Sequence, residues 1–406
     1  MIINSNKFYS GSVILVCVMA FSVGKMTAQQ TSKNEVVISK DLKWSERMAL
    51  SIMKRDPKLW QIDNNEKPKW DYKLGLVAMS FEELYKKTKN PLYVNYVKEY
   101  AETVINSSGE IMNYKLEDYN IDYINAGKIL FDLYKTTKDD RYLIAMQTLR
   151  KQLATHPRTN SGGFWHKKIY PYQMWLDGLY MGTPFYARYT VEFDKGKDLD
   201  DVAKQFKQIH LHTIDKKTGL LFHAWDESKQ MPWANKETGT SPNFWSRSIG
   251  WYMMALVDVL DYMPKEHPKR KELIAYLNET SKAVAKYQDA SGLWYQVTDS
   301  GTKEGNYLEA SGSEMFVYAF AKGVKKGYLP LSYKKLAEKG FDAIIHKLVT
   351  VDPDGEIHIT QICASAGLGG NPYRDGSYEY YIKEKIKVDN SHGLGPFILA
   401  ALELEK

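Results

Sequence analysis

Asp177 is the one charged residue in the aromatic and apolar run Tyr170-Pro-Tyr-Gln-Met-Trp-Leu-Asp-Gly-Leu-Tyr-Met-Gly-Thr-Pro184. A carboxyl in such company costs free energy unless it is hydrogen-bonded or used. Two uses fit. At a helix start it would cap free backbone N–H groups. As a proton donor it would be kept neutral by Trp175, Leu176 and Tyr180, an effect that a helix N-terminus opposes. In a helix, Asp177, Tyr180 and Met181 share a face, and Gly178 and Gly182 leave room for close neighbours.

Other polar groups recur beside rings: Phe164-Trp-His-Lys-Lys168, Phe222-His-Ala-Trp-Asp-Glu-Ser228 and Asn243-Phe-Trp-Ser-Arg-Ser248. A lone histidine is more often structural than functional, but His166 and His223 stand at equivalent places in these segments. Arg247, between Trp245 and Trp251, suits either a buried ion pair or the carboxylate or hydroxyl pair of a substrate. Flat rings stack on sugar faces as readily as they fill cores.

Helical periodicity supplies the frame. A helix begins at Asp41, and apolar residues at three-to-four spacing predict others over 72–88, 92–105, 123–136, 142–154, 199–212, 250–262, 270–289, 313–325, 332–348 and 395–404. No stretch alternates for long like a strand. Between the helices a short signature returns at intervals of about 50 to 75 residues: Ser108-Gly-Glu-Ile111, Ser161-Gly-Gly-Phe164, Thr218-Gly-Leu-Leu221, Ser291-Gly-Leu-Trp294 and Asp354-Gly-Glu-Ile357. A degenerate copy, Pro57-Lys-Leu-Trp60, completes six. Helical hairpins of this kind bury their apolar faces only against neighbours. Six of them curling into a ring make an all-α (α/α)6 barrel with the inner helices after the glycine loops. Those helices pair a polar residue with a glycine, as in Asp71 with Gly75, Asp122 with Gly127, Asp177 with Gly182 and Ser246 with Gly250, which lets six helices converge. The competing arrangement is a linear solenoid, whose concave face is polar; here the segments after the loops are aromatic, which points to a closed ring with a pocket at one end.

Composition narrows the function. The 406 residues are 44% apolar and 26% charged, ordinary globular material. Residues 1–28 hold Lys7 and Lys25 and no acid, so +4 of the net +6 remains after them, interleaved and without the basic stripe of a nucleic-acid binder. Lys7, the apolar run 12–23 and small residues ending at Ala28 predict a signal peptide over 1–28, hence an exported, periplasmic or secreted protein with no membrane span after cleavage. A polar lead would follow over 29–40 and a single catalytic domain over 41–406. Cys17 falls in the leader and leaves Cys363 alone, which excludes an internal disulfide and cysteine-rich metal sites.

The chain resembles the unsaturated rhamnogalacturonyl hydrolases of glycoside hydrolase family 105. The likeness runs through His156-Pro-Arg-Thr159, Gly163-Phe-Trp-His-Lys167, Gln173 to Met181, Trp245-Ser-Arg-Ser-Ile-Gly-Trp251, Tyr307-Leu-Glu-Ala-Ser-Gly-Ser313 and Arg374-Asp-Gly-Ser-Tyr-Glu-Tyr380, over nearly all of 41–406. It implies an (α/α)6 barrel, no metal or other cofactor, and hydrolysis of oligosaccharides ending in a 4,5-unsaturated uronic acid left by a polysaccharide lyase. By motif it implies Asp177 as general acid and base, Asp122 as a second carboxylate, and His166, Lys167, His223, Trp245, Arg247 and Trp251 as substrate contacts. Rhamnose is the default leaving sugar, with ulvan-type and glycosaminoglycan-type sugars open. Such a substrate is an enol ether: protonation at C4 makes C5 oxocarbenium-like, water adds there, and the hemiketal opens and expels the aglycone. One proton donor suffices. Two alternatives remain at this stage. An inverting glycosidase would use Asp122 and Asp177 as separate acid and base, about 6.5–9.5 Å apart. A non-catalytic, exported oligosaccharide-binding protein would use the rings alone and has no need of carboxylates among them.

Overall fold

The computed structural model of the protein describes residues 37–405. The leader and most of the polar lead lie outside the described residues. The chain runs through α1 (Trp44–Arg55), α2 (Tyr72–Thr88), α3 (Pro91–Val104), the short α4 (Asp122–Asn125), α5 (Leu130–Thr137), α6 (Asp140–Thr155), α7 (Leu176–Phe193), α8 (Leu199–Thr213), α9 (Ser246–Tyr262), α10 (Arg270–Lys286), α11 (Ala310–Lys325), α12 (Ser332–Lys347), the short α13 (Tyr378–Lys383) and α14 (Ser391–Leu404). Short strands pair in three antiparallel ribbons, of which β1 (Gln173–Trp175) with β2 (Ala224–Asp226) matters most here.

Packing closes the ring. α2 packs on the segment 122–137, that segment on α7, α7 on α9, α9 on α11, α11 on α14, and α14 back on α2. Outside them α3, α6, α8, α10 and α12 each cover the inner helix that precedes them, and α1 covers α14, so the first and last helices make the sixth hairpin. The protein is an (α/α)6 toroid.

The repeat read from sequence is one turn used five times. Gly109, Gly162, Gly219, Gly292 and Gly355 all have φ between 79° and 102°, a region that side chains avoid. Each donates its N–H to a carbonyl three or four residues back, as Gly109 does to Asn106 and Gly292 to Asp289. At Gly355 a Cβ would also strike the Ile38 carbonyl. The turn reverses the chain from outer helix to inner helix.

Inner helices touch through small residues. A Cβ at Gly250 would come 2.7 Å from Met315 Cβ, one at Gly182 2.9 Å from Ile121 and one at Gly395 2.8 Å from Leu76. Gly250→Val is therefore expected to cost about 1–3 kcal/mol through overpacking, read from urea unfolding. An unchanged midpoint would mean that the α9–α11 crossing has slack.

One predicted helix is broken. The predicted 123–136 helix is interrupted by a 3₁₀ turn at Ala126–Ile129. There Gly75 of α2 packs on Ala126, and Gly127 sits against Leu149 and Phe185, so the backbone tightens to fit between three helices.

Candidate active site

The first turns of the inner helices gather at one end of the ring. Backbone pairing of the segments before them fixes the site. Asn120 bridges Lys167, Ile121 N–H donates to the His166 carbonyl at 3.2 Å, and His166 N–H to the Gln173 carbonyl at 2.7 Å. β1 then pairs with β2 with Trp175 opposite Ala224, and Leu176 N–H donates to the His223 carbonyl at 3.0 Å. Asp122 is thus brought beside His166 and Lys167, and Asp177 beside His223.

The two carboxyls have different partners. Asp122 Oδ2 accepts from Lys167 Nζ at 2.7 Å, and its Oδ1 is 3.6 Å from His166 Nε2. Burial alone would push the Asp122 carboxyl up, but Lys167 and His166 outweigh it and hold it below the ordinary carboxylate range. Lys167 is raised in turn, Asp122 outweighing its burial. Asp177 has no lysine or arginine within ion-pair distance among the described residues; its Oδ2 is 3.1 Å from His223 Nε2, without the alignment of a hydrogen bond. It is the second residue of α7, yet it accepts no bond from a backbone N–H, whereas Asp71, Glu309 and Asn390 do cap α2, α11 and α14. The capping explanation of Asp177 fails.

Rings hold both histidines. His166 stacks on Trp175 with centroids 4.4 Å apart and planes 7° apart, and Gly178 makes room for its Nδ1, which has no partner. Burial pushes His166 down to about 4, with Asp122 opposing, so it is a neutral ring near pH 7. His223 lies 4.9 Å from the Trp245 ring, and its Nδ1 is 2.7 Å from the Tyr381 hydroxyl. Trp245 donates Nε1–H to Gln296 at 3.0 Å.

Nearby, His156 is likewise lowered to about 4, by burial against a weaker opposing bond to the Trp165 carbonyl. Both histidines exclude in the fold a proton that they bind at about 6.5 when unfolded, so stability rises with pH through the window from about 4 to about 6.5. At pH 5 each is expected to have cost about 2 kcal/mol relative to pH 8. His156→Gln should reduce by that amount the loss of urea stability between the two; an undiminished loss would show that His156 titrates normally.

Two expected contacts also have packing or hydrogen-bond partners inside the fold. Trp251 is 1% exposed and packs against Tyr180 at 4.9 Å within the main core. Arg247 lies 4.6 Å from the Trp245 ring as its flanking suggested, but it is equally buried and donates from Nη1 to the Cys363 carbonyl and, at 3.2 Å, to Ser311 Oγ. It ties α9 to α11 and to the chain after α12 through Nη1, and its Nε is without a partner. Three residues were missed. Tyr381 supports His223, and the Tyr72 hydroxyl meets His392 Nε2 at 2.8 Å while standing in the fields of Asp122 and Asp177. A tyrosine run at 378–381 and the Asn390-Ser-His392 helix start were their only signals.

A helical toroid whose inner-helix first turns bring paired carboxyls, histidines and rings to one mouth defines the (α/α)6 glycoside hydrolases as a class. The chain belongs to Glycosyl Hydrolase Family 88, whose sequence profile matches residues 44–406. A solved glycoside hydrolase of family 105 from C. acetobutylicum ATCC 824 is 48% identical and covers 90% of this chain and 99% of its own, with a TM-score of 0.86. A 24.9 kDa protein in the picA locus of Rhizobium radiobacter is 34% identical over 229 residues, 55% of this chain and 97% of its own. The unsaturated rhamnogalacturonyl hydrolase YesR of Bacillus subtilis strain 168 is 27% identical over 294 residues, 71% of this chain and 78% of its own. The protein is a glycoside hydrolase, and the resemblance read from its motifs stands.

Proposed function

We propose that the enzyme releases the 4,5-unsaturated uronic acid from the non-reducing end of lyase-generated oligosaccharides, of rhamnogalacturonan type, by hydrating the C4=C5 bond. Asp177 gives its proton to C4 and then takes one from the water that adds at C5. The observation that carries this assignment is the asymmetry of the carboxyls: Asp122 is kept ionised by Lys167 at 2.7 Å, while Asp177 has no lysine or arginine within ion-pair distance among the described residues and lies 3.1 Å from His223. An ionised Asp122 cannot be the donor. Its pairing with Lys167 instead makes a dipolar wall for the uronate's hydroxyls and carboxylate, and the Trp175 and Trp245 rings hold His166 and His223 in place. A two-carboxylate inverting glycosidase needs a neutral acid and an ionised base acting on opposite faces of one bond; for the hydration a single donor suffices.

Rhamnose as leaving sugar is supported by the named activity of the Bacillus subtilis relative. The leader-like residues 1–28 support export. The test is a set of unsaturated disaccharides that differ in aglycone, followed by loss of the enoate's ultraviolet absorbance. The rhamnose-linked substrate should have the highest kcat/KM. A higher value on an ulvan- or glycosaminoglycan-derived disaccharide would replace the leaving sugar, and no loss of absorbance on any would remove the hydration.

A further inference from the structure

The mouth uses the first turns of the inner helices; their last turns, at the other end of the ring, enclose a separate cavity of about 440 Å³. That is the size of a small-molecule pocket. Its walls include Glu82 of α2, Lys128 of the 3₁₀ turn, Arg188 of α7, Asp258 of α9 and Lys322 of α11. Most of this charge is internally satisfied. Asp258 accepts from Lys322 at 2.6 Å and from the Tyr318 hydroxyl at 2.7 Å, Asp261 pairs with Lys322 and Lys326 at 2.7 Å, and Glu403 pairs with Lys325 at 2.8 Å. Cations at the ends of inner helices also answer the negative pole of the helix dipoles.

Lys128 fits neither account. It precedes α5 instead of ending a helix, it is only 7% exposed, and its Nζ has no hydrogen-bond acceptor; it rests 3.3 Å over the Tyr180 ring. A ring face offsets only part of the cost of burying an ammonium. Glu82, 3% exposed, has an Oε1 without a partner as well. Burial, aided by Asp132, pushes the Glu82 carboxyl well above the usual range, so it stands as a neutral O–H donor. Burial pushes Lys128 down, with Asp258 opposing, and an anion beside it would restore its charge. Two buried donors without acceptors thus line one cavity, among seven basic and five acidic residues.

We propose that this cavity is a second ligand site, remote from the catalytic mouth, which takes a small hydroxylated carboxylate of monosaccharide size, with Lys128 and Glu82 donating to the carboxylate. The proposal stands apart from the assignment of the mouth. The carboxylate satisfies both orphaned donors, and the Asp261 and Glu403 oxygens at the wall are acceptors for hydroxyls. Lys128→Met, which removes the donor and keeps the length of the side chain, is the direct variant.

The test is isothermal titration of the full chain with galacturonate, with galactose as its uncharged counterpart. Wild type should bind galacturonate and not galactose. Lys128→Met should bind galacturonate at least about tenfold more weakly, the worth of a charge-assisted bond, while hydrolysing substrate as wild type does. No binding by wild type, equal binding of galactose, or binding that survives in Lys128→Met and so belongs elsewhere would each overturn the proposal. Should circular dichroism find Lys128→Met unfolded, Glu82→Met, which removes the second donor, takes its place: weaker galacturonate binding supports the site, and unchanged binding overturns it.

Discussion

Asp177→Asn is expected to lower kcat on an unsaturated disaccharide by at least about 10²–10⁴-fold, the usual worth of general acid–base assistance, while the substrate still binds. The amide keeps the size of the side chain and its place 3.1 Å from His223, and removes the proton. Because that proton goes to carbon, a water molecule is a poor substitute. Asp122 does not take over, since Lys167 at 2.7 Å keeps it ionised. Steady-state kinetics decide the matter, with the melting temperature as control. A variant within about tenfold of wild type in kcat, well short of the usual loss, would take the donor's role from Asp177.

Trp251→Ala is expected to cost about 3–5 kcal/mol of stability, the range for emptying a buried aromatic site. The ring is 1% exposed and packs on Tyr180 of α7 with centroids 4.9 Å apart. The urea midpoint should fall steeply, and the folded fraction should keep the wild-type KM. A stable variant with a raised KM would instead return Trp251 to the substrate. The contrast with Trp245 is instructive. Both tryptophans flank Arg247 in sequence, but Trp245 precedes the first turn of α9 and contacts His223, whereas Trp251 lies past that turn and faces inward.

The ring was legible because its cause is local. Five of the six outer helices are followed by a turn that only glycine enters easily, so five glycines with positive φ mark the repeat in the sequence itself. The beginnings of the inner helices were less legible. α9, α11 and α14 start at Ser246, Ala310 and Ser391, three or four residues before the apolar periodicity begins. Their first turns carry Arg247, Ser311 and His392, buried polar residues that lack the apolar pattern of a core-facing helix. Buried polar groups hide the helix signal there. Asp122, Asp177, His166, Lys167 and His223 are brought into two adjacent pairs and a stacked ring, as their recurrence in equivalent loops suggested. Tyr381 and His392 stayed hidden because each reaches the site from the last part of the chain, and no spacing rule links residues 158 positions apart, as His223 and Tyr381 are.

The central claim is that the proton goes to C4 and that the double bond is consumed. It is tested most directly by running the wild-type reaction in heavy water and examining the released uronic acid early, before the keto sugar exchanges with solvent. Hydration initiated by Asp177 predicts a 4-deoxy-5-keto product that carries one deuterium at C4, in a single configuration. Release of a uronic acid that keeps its C4=C5 bond and its undeuterated C4–H would contradict it, and would return the enzyme to direct cleavage at the glycosidic bond.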